Sequence, residues 1–104
     1  MEVKVTTIIF DQSIKIDEIS SLRGALLTLL PDNPILHNHS DAAVLYRYPK
    51  VQYKLIDGTA SVTGIAEGAE ILESEFATGD ELCLKIGRKV RRFTVIEKKT
   101  SYFN

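Results

Sequence analysis

The sequence has little of several things that would have fixed its class at once. It holds a single cysteine, Cys83, so no intrachain disulfide framework exists, and one thiol fits a reducing compartment. Flanked by Leu82 and Leu84, Cys83 reads as a small buried hydrophobe. The start, MEVKVTTIIF, lacks a basic stretch followed by a long apolar core and so is no signal peptide. No apolar run approaches the length of a membrane span, so the expected setting is cytoplasmic, with no membrane partner. Repeats, low-complexity tracts and linkers are missing too. A chain of 104 residues with 44% hydrophobic and 26% charged residues has room for one domain with one modest core.

Net charge is −1, which by itself points to no polyanionic partner. Its distribution is uneven. Residues 66–82 carry six acids (Glu67, Glu70, Glu73, Glu75, Asp80, Glu81) and no base, whereas residues 85–99 carry seven bases and only Glu97 as an acid. The ordinary reading is two solvated faces of opposite sign; the alternative is a local positive field on a chain neutral overall.

Elements follow from periodicity. Val3, Val5, Ile8 and Phe10 lie in a β-branched run that Asp11 closes. Ile19, Leu22, Leu26, Leu29 and Leu30 form one helical stripe, capped by Asp17 or Ser20 and stopped by Pro31. Gly24 inside that helix costs stability, which a close approach to a sheet or partner would offset. Residues 31–41 read as a loop. A hairpin follows, Val44–Ile56 and Ala60–Ile65, around the turn pair Asp57-Gly58. Residues 66–76 suit a second helix, with Ala66, Ala69, Ile71, Leu72 and Phe76 on its inner side. Glu81–Ile86 and Arg91–Ile96 then make a hairpin around Gly87-Arg88-Lys89. The order is β-α-β-β-α-β with an additional carboxyl-terminal strand. This is an α+β, ferredoxin-like (RRM-like) sandwich, one sheet with two helices on one face. Such a fold hosts enzymes, RNA binders and scaffolds alike.

Chemistry concentrates in residues 36–54, LHNHSDAAVLYRYPKVQYK. Strand alternation sets Tyr46, Tyr48, Lys50, Gln52 and Lys54 on one side and Leu45, Arg47, Val51, Tyr53 and Leu55 on the other, unless a bulge at Pro49 swaps the faces. Interleaved rings and amines suit stacking on unpaired bases and contact with phosphates, or equally the packing of tyrosines at a domain edge. His37 and His39 are the chain's two histidines. Three roles are open to them. They would be metal ligands if Asp32, Asp41 or Asp57 joined them. They would be structural if they bound loop backbone. An imidazole near a basic strand could also move protons in RNA cleavage, with Tyr46 and Arg47 or Lys50 completing a metal-free set.

Two segments carry a resemblance. LRGALLTLLPDNPILHNH and YRYPKVQYKLIDGTASVTGIAEGAEIL contain, in order, an L-R-G-A helix, an N-P-x-x-H-N-H loop, a Y-R-Y-P-x-x-Q-Y-K strand, an I-D-G turn and a G-x-x-E-G-A-E segment. Across residues 22–72 the chain resembles the amino-terminal half of a CRISPR-associated endoribonuclease family that processes precursor CRISPR RNA. The resemblance implies a metal-independent, cofactor-free enzyme that binds CRISPR repeat RNA and cuts it by 2′-hydroxyl attack. It implies His39 as the catalytic histidine, Tyr46 as its partner and His37 as the alternative imidazole. Arg47, Tyr48, Lys50 and Lys54 become the RNA-binding candidates, from charge and strand position. The family continues into a second ferredoxin-like domain with a glycine-rich loop, which the six scattered glycines here do not supply. Residues 1–104 are therefore expected to be one ferredoxin-like domain whose carboxyl-terminal companion is missing. A non-catalytic RNA-binding or scaffold module of the same fold is the competing expectation, and exposed edge strands leave room for a homodimer.

Overall fold

A computed structural model describes residues 2–29 and 51–104. β1 (Val3–Ser13) leads through a short 3-10 turn (Ile16–Glu18) into α1 (Ile19–Leu29); β2 (Val51–Ile56), β3 (Thr59–Ile65), α2 (Glu67–Glu75), β4 (Glu81–Ile86) and β5 (Lys89–Phe103) follow. Among the described residues the five strands form one antiparallel sheet in the order β2-β3-β1-β5-β4. Both helices lie on one face, α2 over β3 and β1, α1 against β2 and β4. This is the expected ferredoxin-like sandwich. The additional strand belongs to the last hairpin: β4 takes the edge and the long β5 lies beside β1.

The alternation of β1 decides the layering. Ile8 and Phe10 are fully buried beneath the helices with Leu22, Leu26, Val62, Leu72, Phe93 and Val95. Phe10 meets Phe76 and Phe93 edge-on, with ring centroids 6.3 and 5.9 Å apart, the geometry that ring quadrupoles favour. Each of these large side chains removed from water contributes on the order of 2 kcal/mol.

β5 extends well past Ile96 because the register slips. Ile9 pairs with Glu97 but Phe10 with Val95, so Ile96 is an extra residue, 54% exposed. One inserted residue inverts a period-two pattern. Before the bulge the odd-numbered Phe93 and Val95 face the core. After it the even-numbered Lys98 and Thr100 face α2, Lys98 Nζ donating to the Glu73 and Phe76 carbonyls and Thr100 Oγ1 to Glu73 Oε2. A cation on the last carbonyls of α2 opposes the partial negative charge of the helix end.

Both turns match their residues. Asp57 and Gly58 have φ of 52° and 80°, as a type I′ hairpin requires, and Gly87, at φ 67°, opens the two-residue loop Gly87-Arg88. α2 starts at once after β3 because Gly64 lets it. A Cβ there would run into the Gly68 carbonyl carbon and lie 2.5 Å from its oxygen and 2.8 Å from Ala69 N.

Four expectations change. Cys83 is exposed: Leu82 and Leu84 pair with Phe93 and Arg91 on the core side, so the residue between them points outward opposite Arg92. Ala66 is exposed at φ 57° and precedes α2 rather than lining its inner side. Among the described residues nothing lies within 4 Å of a Cβ built on Gly24, so the sheet does not offset its cost there. Neither Asp17 nor Ser20 caps the helical segment; Lys15 stands there, with its amide donating to Glu18 Oε1 at 2.8 Å. The stop at Pro31, the loop 31–41 and the first half of the long strand, 44–50, lie outside the described residues.

Candidate functional site

β2 carries the end of the aromatic and basic segment into the sheet. Its pairing with β3 sets Lys54 opposite Ser61, Gln52 opposite Thr63 and Val51 opposite Gly64. Val51, Tyr53 and Leu55 face the helices; Gln52 and Lys54 are exposed on the other side, as alternation predicts. Tyr53 is half-buried, and burial pushes its phenol up to about 12, with nearby Arg23 acting in the opposite direction. Its ring packs against the core.

The face away from the helices is built in rows across the strands. One row runs Gln52, Thr63, Thr7, Lys99; the next runs Lys54, Ser61, Ile9, Glu97. At strand spacings of about 4.8 Å each row spans roughly 14 Å. Its buried hydroxyls are satisfied: Ser61 Oγ donates to the Lys54 carbonyl at 3.0 Å, and the Thr7 and Thr63 hydroxyls share a hydrogen bond of 3.1 Å. Lys99 sits at the rim, 3.4 Å from Glu97 in an exposed pair, which ties it only weakly. Lys54 and Lys99 thus stand at the two sides of a strip whose Ser61 and Thr63 side chains are buried. Lys99 was no part of the predicted set, because cross-strand register, not local sequence, brings it there.

Charge is sorted by face. Lys4 Nζ on the helix side reaches Glu73 at 2.6 Å and Glu70 at 3.0 Å, gathering part of the acidic run. The β4–β5 hairpin carries Lys85, Arg88, Lys89, Arg91 and Arg92 against Glu81, whose contact with Arg92 is 3.9 Å. Among the described residues no group of three His, Cys, Asp or Glu side chains is placed to hold a metal ion. No helix among them is long and apolar enough to cross a membrane.

Of the predicted site residues, Lys54 is described and lies on the open face. His37, His39, Tyr46, Arg47, Tyr48 and Lys50 lie outside the described residues.

The chain is similar to a solved structure of Cas6b at 28% identity with a TM-score of 0.76, a match covering 100% of this chain and 48% of that one. It spans about half the length of that protein. No curated protein matches it. The family model for the Cas6b N-terminal domain matches residues 1–101, nearly the whole chain. The chain therefore belongs to the Cas6b N-terminal domain family of CRISPR-associated proteins.

Proposed function

We propose that this domain supplies the cleavage residues of an endoribonuclease that cuts precursor CRISPR RNA within its repeats. The observation that carries the reading is the family match over residues 1–101, which includes both histidines. The chemistry needs no metal. RNA holds its own nucleophile, and an imidazole at His39, ordinarily with a pKa of about 6.5, can take the 2′-hydroxyl proton at neutral pH. Attack on the adjacent phosphorus forms a 2′,3′-cyclic phosphate and breaks the bond to the 5′-oxygen, which takes up a proton as it leaves. Tyr46 assists proton handling or holds the substrate, and His37 is the alternative imidazole. Arg47, Lys50 and Lys54 hold phosphates, offsetting charge that builds on the non-bridging oxygens, and Tyr48 stacks on a base. Support for the binding part comes from Lys54, an exposed cation on the sheet face away from the helices.

Cleavage of a labelled repeat RNA in EDTA tests this, with the chain alone and joined to a Cas6b carboxyl-terminal domain. Removal of one proton-transfer group costs about 10²–10⁴ in rate. His39→Ala is expected to lose that much, and His37→Ala little. Loss in His37→Ala alone would move the imidazole. Cutting by both variants at the wild-type rate would end the catalytic reading and leave an RNA-binding or scaffold module.

A further inference from the structure

The end of β1, the 3-10 turn after it and the tip of the β4–β5 hairpin border an open pocket of about 420 Å³, lined by Ile14, Lys15, Glu18, Ile86, Lys89 and Arg91 among others. Its size falls in the usual range for small-ligand sites. Ile14 and Ile86, at 6% and 3% exposure, bring apolar surface to it from the core. Arg91 is fixed in place. Its Nη2 donates to the Ser13 carbonyl at 2.7 Å and to Gln12 Oε1 at 3.0 Å, and its guanidinium carbon lies 5.3 Å from the Phe93 ring centroid. Nη1 is 4.0 Å from Glu18 Oε1, too far for a hydrogen bond. That oxygen is already engaged by the Lys15 amide. Lys15 and Lys89 are exposed at the rim, and neither forms an ion pair with a described residue. The pocket thus combines an apolar wall, a preorganised guanidinium, two exposed ammonium groups and one carboxylate.

A phosphate alone would use only the cations. A nucleotide uses everything: phosphate oxygens on Lys89, Lys15 and Arg91, base or sugar against the isoleucines, and a ribose hydroxyl or base amino group donating to Glu18. We infer that this pocket is an additional RNA contact that takes one nucleotide of a single-stranded segment, an assignment that rests on the RNA reading above. It sits apart from where the histidine-bearing segment joins the sheet. β2 enters opposite Gly64, whereas the pocket adjoins Ser13, opposite Thr59, and five residues along β3 span roughly 17 Å. The contact would set how far the RNA strand extends over the domain, and so its register.

The test is equilibrium binding of a single-stranded repeat RNA across a salt series, with cleavage scored separately on the same samples. Lys15 and Lys89 are the variants of choice because both are exposed, whereas Arg91 also holds β1. The Lys15→Ala/Lys89→Ala double variant is expected to melt like the wild type, bind at least tenfold more weakly at low salt, and show a slope of log affinity against log salt smaller by about 1. Lys85→Ala, on the outer face of the same hairpin, is expected to change the slope less than the double variant. Unchanged affinity and slope in the double variant would overturn the assignment, even if His39→Ala abolishes cutting. An equal loss in Lys85→Ala would overturn it in favour of a diffuse field. So would a wild type that binds no RNA. Inorganic phosphate competing as well as a mononucleotide would make this a simple anion site and likewise overturn the nucleotide assignment. Conversely, the expected losses in a chain that does not cut would uphold the pocket while the catalytic reading fails.

Discussion

Glu73 links three elements with two oxygens. Oε1 takes Lys4 Nζ of β1 at 2.6 Å, Oε2 takes Thr100 Oγ1 of β5 at 2.9 Å, and the same threonine shares a hydrogen bond with the buried Thr6. The Lys4 bond, then the Thr100 bond, hold the Glu73 carboxyl below its usual range, and its two carboxylate partners hold the Lys4 ammonium above its own. A depressed carboxyl contributes stability that is complete above its unfolded pKa and disappears as pH falls through the folded one. A raised ammonium contributes stability that is complete below its unfolded pKa and disappears as pH rises through its folded one. Both contributions are intact at neutral pH. The expectation is that Glu73→Gln lowers the urea midpoint at pH 7, and that the gap from wild type closes as pH falls below about 4. A gap that stays constant to pH 3 would mean the carboxylate is not what these bonds stabilise. The same scale shows why Cys83 misled. In Leu82-Cys83-Leu84 an apolar run suggests uniform burial, yet strict alternation sends the middle residue outward.

Among the elements, two glycines of similar appearance in the sequence have opposite roles. Gly64 lies where β3 passes into α2, so close to the Gly68 backbone that no side chain fits; Gly24 lies in α1 with no described residue within 4 Å of a Cβ built on it. Gly64→Ala is expected to destabilise the domain by about 2 kcal/mol or more, because backbone rather than a flexible side chain must give way. Gly24→Ala is expected to stabilise it by roughly 0.5–1 kcal/mol through the unfolded chain. Chemical denaturation of the two variants checks both signs, and a neutral Gly64→Ala would show that β3 and α2 can separate without penalty. This contrast also marks how far the elements were legible. The G-x-x-E-G-A-E segment was recognised by resemblance, and its first glycine has a steric reason that no local pattern displays. Asp57-Gly58 was readable because the I′ turn demands φ above zero at both residues. Within the candidate site, alternation placed Gln52 and Lys54 on one face correctly. It had no means of adding Lys99, which arrives from a strand more than forty residues away.

For the whole molecule, the decisive pairing joins the two ends of the chain. β1 lies between β3 and β5; beyond the bulge its partners on β5 run from Glu97, opposite Ile9, to Phe103, opposite Val3. The sequence alone suggested that β5 stops at Ile96, because Lys98, Lys99, Thr100 and Ser101 show no apolar alternation. They form a strand because β1 offers unpaired backbone groups, and Lys98 and Thr100 hydrogen-bond to α2. This polar tail is therefore a structural centre and not an appendage. Ending the chain after Ile96 removes seven paired positions. At about 1 kcal/mol net for each hydrogen bond, the loss is of the order of the entire stability of a small domain, about 5–15 kcal/mol. The shortened chain is expected to lose its cooperative thermal transition and its amide protection along β1. A shortened chain that still melts cooperatively within a few degrees of the full one would show that β1 to β4 and the two helices suffice. In that event the end of β5, Lys99 included, would be an accessory to the fold.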